Sequence, residues 1–227
     1  MDSILKKIPI EYIGELHDIR LIQFSVEKEE IMDRLPSSLK VRDINGRALI
    51  SMVDVKLKKM RPSFFPSFFY FGYRHIAFRL LIEDKKYSGD LTDKGIFFYQ
   101  SFTNKSLISL GGNLFTDYNM SKASIDEKNN QTIVRLKDKQ VSYTIENEIS
   151  LMDEKTSSMQ KIIGSLDRAY AVRGNEVMMT LIQRQKWPIQ PVKCIHFENS
   201  FFKTAKFECA FRVFEIIHYH WLVPKPV

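Results

Sequence analysis

His75, Ala77 and Arg79 alternate along a stretch that reads as a β-strand, 73–83, so a period of two places all three on one face. An imidazole changes charge near neutral pH, which suits it to general acid or base work. A guanidinium offers a planar fork that grips a carboxylate or phosphate through paired hydrogen bonds. If that face turns inward, His75 and Arg79 form a polar pair in an apolar hollow, and Arg74 on the opposite face is expected in solvent. The competing arrangement pairs Arg79 with Glu83 or leaves it outside beside Lys56. Tyr99 and Ser101, one strand later, are candidates for the same hollow, although a core aromatic and a simple surface serine need no such role.

Other chemistry is weakly supported. Cys194-Ile195-His196 and His218-Tyr219-His220 each put two ligand-capable side chains on one strand face, with Cys209 between them. Neither pair has the CxxC or HExxH spacing of zinc sites, so neither a metal nor any other cofactor is expected. Gly111-Gly112 lacks the GK[ST] or GxxG continuation of a phosphate loop, and no GxSxG elbow is present.

The elements that must position these residues are mostly strands. Residues 17–26 alternate as an opening strand, and 27–35 carry apolar residues at helical spacing up to Pro36. Asn45-Gly46 is the clearest hairpin signal, because a type I′ turn needs positive φ at both central residues. A long alternating strand, 47–59, follows it. Further strands are predicted at 73–83, 95–103, 118–125, 131–137 and 140–149, the last three joined by short polar turns that favour an antiparallel meander. Met159, Ile162, Ile163, Leu166, Ala169 and Tyr170 predict a helix over 157–173, closed by Gly174-Asn175. Strands then run 176–186, 192–199 and 205–223 with a break. No repeat or linker interrupts this, so residues 1–227 read as one domain: mainly β (α+β), a large antiparallel sheet coiled into an incomplete barrel or cone with two or three peripheral helices.

Pro62 to Tyr70, PSFFPSFFY, holds four phenylalanines beside the basic run KLKKMR. Such a loop is expected to fold inward over a core or to gate a pocket; exposed, it would read instead as a wedge for a membrane surface or a partner.

Leu35-Pro36, Asn45-Gly46-Arg47-Ala48, Met60-Arg61-Pro62, Pro66, Arg79, Gly95-Ile96-Phe97-Phe98-Tyr99, Tyr118 and Trp187-Pro188-Ile189-Gln190-Pro191 follow one another in an order that resembles domain-of-unknown-function family 2071, the YqjF-like proteins of the acetoacetate-decarboxylase-like superfamily. The resemblance spans nearly the whole chain and implies a coiled sheet with a small-molecule pocket inside the cone. In the superfamily's decarboxylases a lysine, its pKa lowered by a second lysine and by burial, forms a Schiff base with a β-keto acid. The matching segment here, Gly112 to Lys122, places Met120 at the nucleophile's position, and the acidic partner's position holds His75. A thioether cannot form an imine, so the resemblance implies that acetoacetate decarboxylation is lost. Lys122, two residues on, would share the face of Met120 and is the one candidate substitute.

The charge of +7, from 34 basic and 27 acidic residues, is spread along the chain and accompanies no nucleic-acid-binding motif, so no nucleic-acid partner is expected. No apolar run approaches the ~20 residues of a membrane span, and the first residues lack a signal-peptide pattern. Two cysteines make a disulfide framework improbable, and a cytoplasmic protein is the plain reading. An exposed final strand leaves a homo-oligomer open.

Three functions compete at this point. One is a binder of an apolar ligand with an anionic end, held by Arg79 with His75, Tyr99, Tyr118 and Met120 as walls. Another is an enzyme of altered, lyase-like chemistry with His75 as acid or base and Lys122 or Arg79 stabilising an anion. The last is a peripheral membrane or interaction protein acting through its Phe-rich loop.

Overall fold

A computed structural model describes residues Ile4–Val227. The strands are β1 (Tyr12–Val26), β2 (Lys40–Val41), β3 (Asp43–Ile44), β4 (Arg47–Pro62), β5 (Phe71–Glu83), β6 (Gly95–Thr103), β7 (Met120–Lys122) and β8 (Ser124–Lys128). They continue as β9 (Gln131–Leu136), β10 (Lys139–Ile149), β11 (Arg168–Arg173), β12 (Glu176–Arg184), β13 (Gln190–Asn199), β14 (Lys206–Val213), β15 (Ile217–Trp221) and β16 (Lys225–Pro226). Three α-helices intervene: α1 (Lys85–Ser88), α2 (Ser106–Phe115) and α3 (Glu154–Ser165).

β1 organises the sheet because it is long enough to serve three partners. Its whole length pairs with β4, while its first half pairs with β15 and its second half with β14. The path β4-β5-β6-β11-β12-β15-β1 therefore returns to β4, unevenly, since β6–β11 and β12–β15 share only short ladders. From β14 the sheet runs on through β13, β10, β9 and β8 and folds over the outer face of the first strands. The mainly β class and coiled sheet expected from the sequence are what the chain adopts. β6 adds two parallel pairings, with β7 and β11, to an otherwise antiparallel order.

Two apolar cores result, one on each face of β4 and β5. Phe24, Phe78, Phe102, Tyr143 and Phe202 fill the space between these strands and the folded-over wing. Val53, Leu57, Tyr73, Phe98, Ile163 and Trp187 belong to the other core, inside the circuit of strands, where α3 presents Met159 and Ile163.

Several local expectations are corrected. Residues 27–35 form a 3-10 turn, Lys28–Glu30, and further tight turns in place of a helix, because the stretch is too short to sustain one before Pro36. The helix expected over 157–173 stops at Ser165, and 168–173 become β11. Ala169 and Tyr170 suit either period, and pairing to both β6 and β12 decides for strand. Gly174, at φ +58°, accordingly turns a β-hairpin and caps no helix. The strand expected at 118–125 is split into β7 and β8, which serve different neighbours. Asn45 and Gly46 both take positive φ, as a type I′ turn requires.

Candidate functional site

The side-chain directions on β5 follow its pairing with β4. Tyr73, His75, Ala77 and Arg79 lie opposite Leu57, Val55, Val53 and Ser51, and all of these residues face into the circuit of strands. There they meet Ile96 and Phe98 from β6, Arg184 from β12, Tyr219 and Trp221 from β15, and Trp187 from the segment after β12. α3 with Ile163, and Leu166 just after it, close one end. The cavity measures about 80 Å³.

Its walls are aromatic and its fixed charge is positive. Arg79, only 8% exposed, donates through Nε to the Ser51 carbonyl at 3.2 Å and through a terminal nitrogen to Ser51 Oγ at 2.8 Å. Arg184 donates to the carbonyls of Leu166 at 2.6 Å and Gly164 at 3.4 Å, and its guanidinium lies 4.4 Å from the centre of the Trp187 ring. Among the described residues neither arginine forms an ion pair. Glu83 is taken by Lys40, and Asp167, the acid that acts on Arg184, is held by Arg168 at 2.8 Å. Burial, then the Arg184 charge, lowers the Arg79 guanidinium to about 9, and burial lowers Arg184 to about 10. Both stay protonated at neutral pH.

His75 sits among Tyr73, Phe98 and Tyr118, with ring centres 5.4–6.3 Å away. Burial, then the Arg79 charge, pushes its imidazole down to about 3, so it is neutral at pH 7. Its Nε2 has no hydrogen-bond partner among the described residues, and neither has Trp187 Nε1. No hydrogen bond joins His75 to Arg79 among the described residues.

The other sequence candidates are placed differently. Tyr118 lines the cavity, packed on Phe98 at 4.8 Å and Trp221 at 5.3 Å. Tyr99 does not line it. Tyr99 alternates away from Ile96 and Phe98 into the opposite core beside Phe202, and the register slip between Phe78 and Arg79 inverts the alternation beyond it, so that Tyr99 and Ser101 do not share a face. Ser101, beyond the bulge, is opposite Ala77 and fully buried. Met120 is buried but lines an adjoining chamber, where Asn113 clamps its backbone on both sides, at 2.8 Å and 2.6 Å. Lys122 ends the short β7 exposed to solvent, outside the cavity. Among the residues lining the cavity none is a lysine. Arg74 faces away from the cavity, as expected, yet it is not free in solvent, because β8 and β9 cover it and Asp54 and Glu127 pair with it. The Phe-rich loop does not fold inward: Phe64 and Phe68 are 67% and 72% exposed, and Phe69 and Tyr70 are exposed as well.

Sequence reasoning missed Arg184 and the tryptophans and tyrosines opposite β5. A signal existed in β12, where Thr180, Ile182 and Arg184 share a face by alternation, so a cation follows inward-facing neighbours. Helix α2 was missed altogether. Its two glycines disfavour helix in isolation, but Gly112 lets α2 approach β7, since a Cβ there would stand 3.0 Å from Met120 Sδ.

The model of the uncharacterized conserved protein family DUF2071 matches residues 14–222. The chain belongs to this family. Among solved structures, an acetoacetate decarboxylase from Legionella pneumophila is similar to it with a TM-score of 0.64 at 9% identity, covering 96% of this chain and 87% of that one. An acetoacetate decarboxylase-like enzyme from Sphingomonas wittichii RW1 gives 0.61 at 10% identity, covering 100% and 93%. The enduracididine biosynthesis enzyme MppR, solved with pyruvate, gives 0.56 at 9% identity, covering 96% and 90%. At such identities the shared property is the fold, here carried by a DUF2071 chain. No curated protein matches this chain.

Among the described residues, Cys194 and Cys209 are free thiols and no three His, Cys, Asp or Glu side chains cluster as metal ligands. No helix there is long and apolar enough to cross a membrane.

Proposed function

We propose that this protein binds a small organic anion in the aromatic cavity, with Arg79 and Arg184 holding the anionic end. One observation carries the reading: the buried Arg79 and the half-buried Arg184 both line the cavity, and among the described residues neither forms an ion pair with a carboxylate. A buried charge without a partner is destabilising by several kcal/mol, whereas an incoming carboxylate would offset it and accept the paired hydrogen bonds a guanidinium offers. The walls of Tyr73, Phe98, Trp187 and Tyr219 would remove the ligand's apolar part from water. The unpartnered nitrogens of His75 and Trp187 add capacity for one or two further hydrogen bonds to the ligand. Binding without imine formation fits a cavity lined by no lysine.

Thermal unfolding against a panel of carboxylates, with acetate, pyruvate and benzoate as the first members, tests this. A ligand at about 100 times its Kd should raise Tm by roughly 5–10 °C. Arg79→Met should abolish that rise, and borohydride added with a β-keto acid should leave the mass of the chain unchanged. An Arg79→Met protein that responds like the wild type would sink the proposal.

A further inference from the structure

Tyr73 and Tyr118 belong to two walls at once. On one side they bound the charged cavity, and on the other a second chamber of about 250 Å³. Met60, Phe65, Phe71, Ile108, Phe115 and Met120 line that chamber, and no charged side chain does. Beside the tyrosines Tyr12, Tyr73 and Tyr118, two of its polar groups are already engaged. The Thr116 hydroxyl donates to the Gly112 carbonyl at 2.6 Å, and the Met120 carbonyl accepts from Asn113 and Ser109. The two spaces thus differ in kind: the inner holds unpaired cations and unpartnered nitrogens, whereas the outer offers hydrocarbon and a thioether. Phe65 and Leu107, both exposed, stand at the outer chamber's rim, next to the Phe-rich loop and α2.

From this we infer that the ligand is an amphipathic monocarboxylate, its head in the inner cavity and its hydrocarbon tail passing between Tyr73 and Tyr118 into the outer chamber. The inference rests on the anion-binding reading and adds the tail site. Met120 then has a positive role. In the outer chamber a flexible, polarisable side chain adapts to a tail, and an ammonium group at the same place would repel it.

Isothermal titration with acetate, butanoate, hexanoate, octanoate and decanoate, each below its micelle threshold, tests the inference. Affinity should rise about fourfold per methylene beyond butanoate and level off once the tail reaches the rim at Phe65. Ile108→Trp, which fills the outer chamber, should bring octanoate down to the affinity of butanoate and leave acetate and butanoate unchanged. A second measurement needs no variant. The chain's two tryptophans, Trp187 and Trp221, both line the inner cavity, so at equal saturation 2-bromooctanoate should quench their fluorescence more than 8-bromooctanoate does. Short acids that bind with no gain along the series, or stronger quenching by the 8-bromo acid, would overturn the tail site while leaving the anion site standing. Failure of every carboxylate, acetate included, would overturn both.

Discussion

Arg74 and Arg79 lie on the same strand, on opposite faces, and the acids around them separate their fates. On the outer face Arg74 and Arg20 are set among Asp54, Glu127, Asp18, Tyr143 and Thr132. The Arg74 Nε donates to Asp54 Oδ1 at 2.8 Å, one of its terminal nitrogens donates to Glu127 at 3.0 Å, and Tyr143 donates its hydroxyl to Asp54. Burial lowers the proton affinity of both guanidiniums there, but their acidic neighbours more than compensate, and both are held above the ordinary range. On the inner face burial outweighs what opposes it, which is nothing acidic at Arg79 and Asp167 alone at Arg184, and both shift downward. Pairing on the outer side ties β8–β10 to β4 and β5, which is structural work. The inner side has no such ion pairs, which is the basis of the proposed anion site.

The comparison breaks most visibly at Asp54. Asp54→Ala leaves Arg74 to Glu127 and Thr132 alone and the buried Tyr143 hydroxyl without its partner, a loss of about 2–3 kcal/mol, seen as a fall in Tm of about 5 °C or more. A fall of only a degree or two would mean that the outer network is incidental to stability.

His75 gives an intermediate effect that depends on pH. Its folded pKa, about 3, lies below the ordinary ~6.5 of the unfolded chain. Between those values the unfolded state binds the extra proton, so stability falls as pH drops from about 6.5, by up to ~1.4 kcal/mol per pH unit. Wild type should therefore lose roughly 2 kcal/mol more than His75→Phe on going from pH 7 to pH 5, measured by denaturant unfolding. Identical profiles for the two proteins would show that the imidazole takes up its proton in the fold as readily as in the unfolded chain.

The smallest effect has the opposite sign. Arg79→Met replaces an unpaired buried charge with an apolar side chain of similar length, so the ligand-free protein should gain about 1 kcal/mol, or 2–4 °C in Tm. A loss of several degrees would reveal that its bonds to Ser51 are structural after all.

Much of the architecture was legible because period-two alternation survives along β4 and β5, and Asn45-Gly46 admits few conformations besides a tight hairpin turn. From the same alternation followed the shared face of His75 and Arg79. Tyr99 was misplaced because it was grouped with Ser101 by alternation, whereas one bulge between them sets the two on opposite faces, and a single inserted residue leaves no mark in composition. The helix expected over 157–173 failed after Ser165 because short apolar stretches satisfy both periods, and the choice belongs to the neighbours they meet.

The sequence by itself determined which residues share a strand face, that a cation and an imidazole travel together on β5, and that a thioether stands near the cavity where the resemblance implies a lysine. Only the tertiary structure decided that Arg184 joins Arg79, that Asp54 and Glu127 serve the other face, and that Tyr73 and Tyr118 divide two chambers of different chemistry. The reason is physical. Side-chain direction is local, set by the pleat of one strand, whereas the balance of charge around a buried group depends on which distant segments the coiling of the sheet brings to each face.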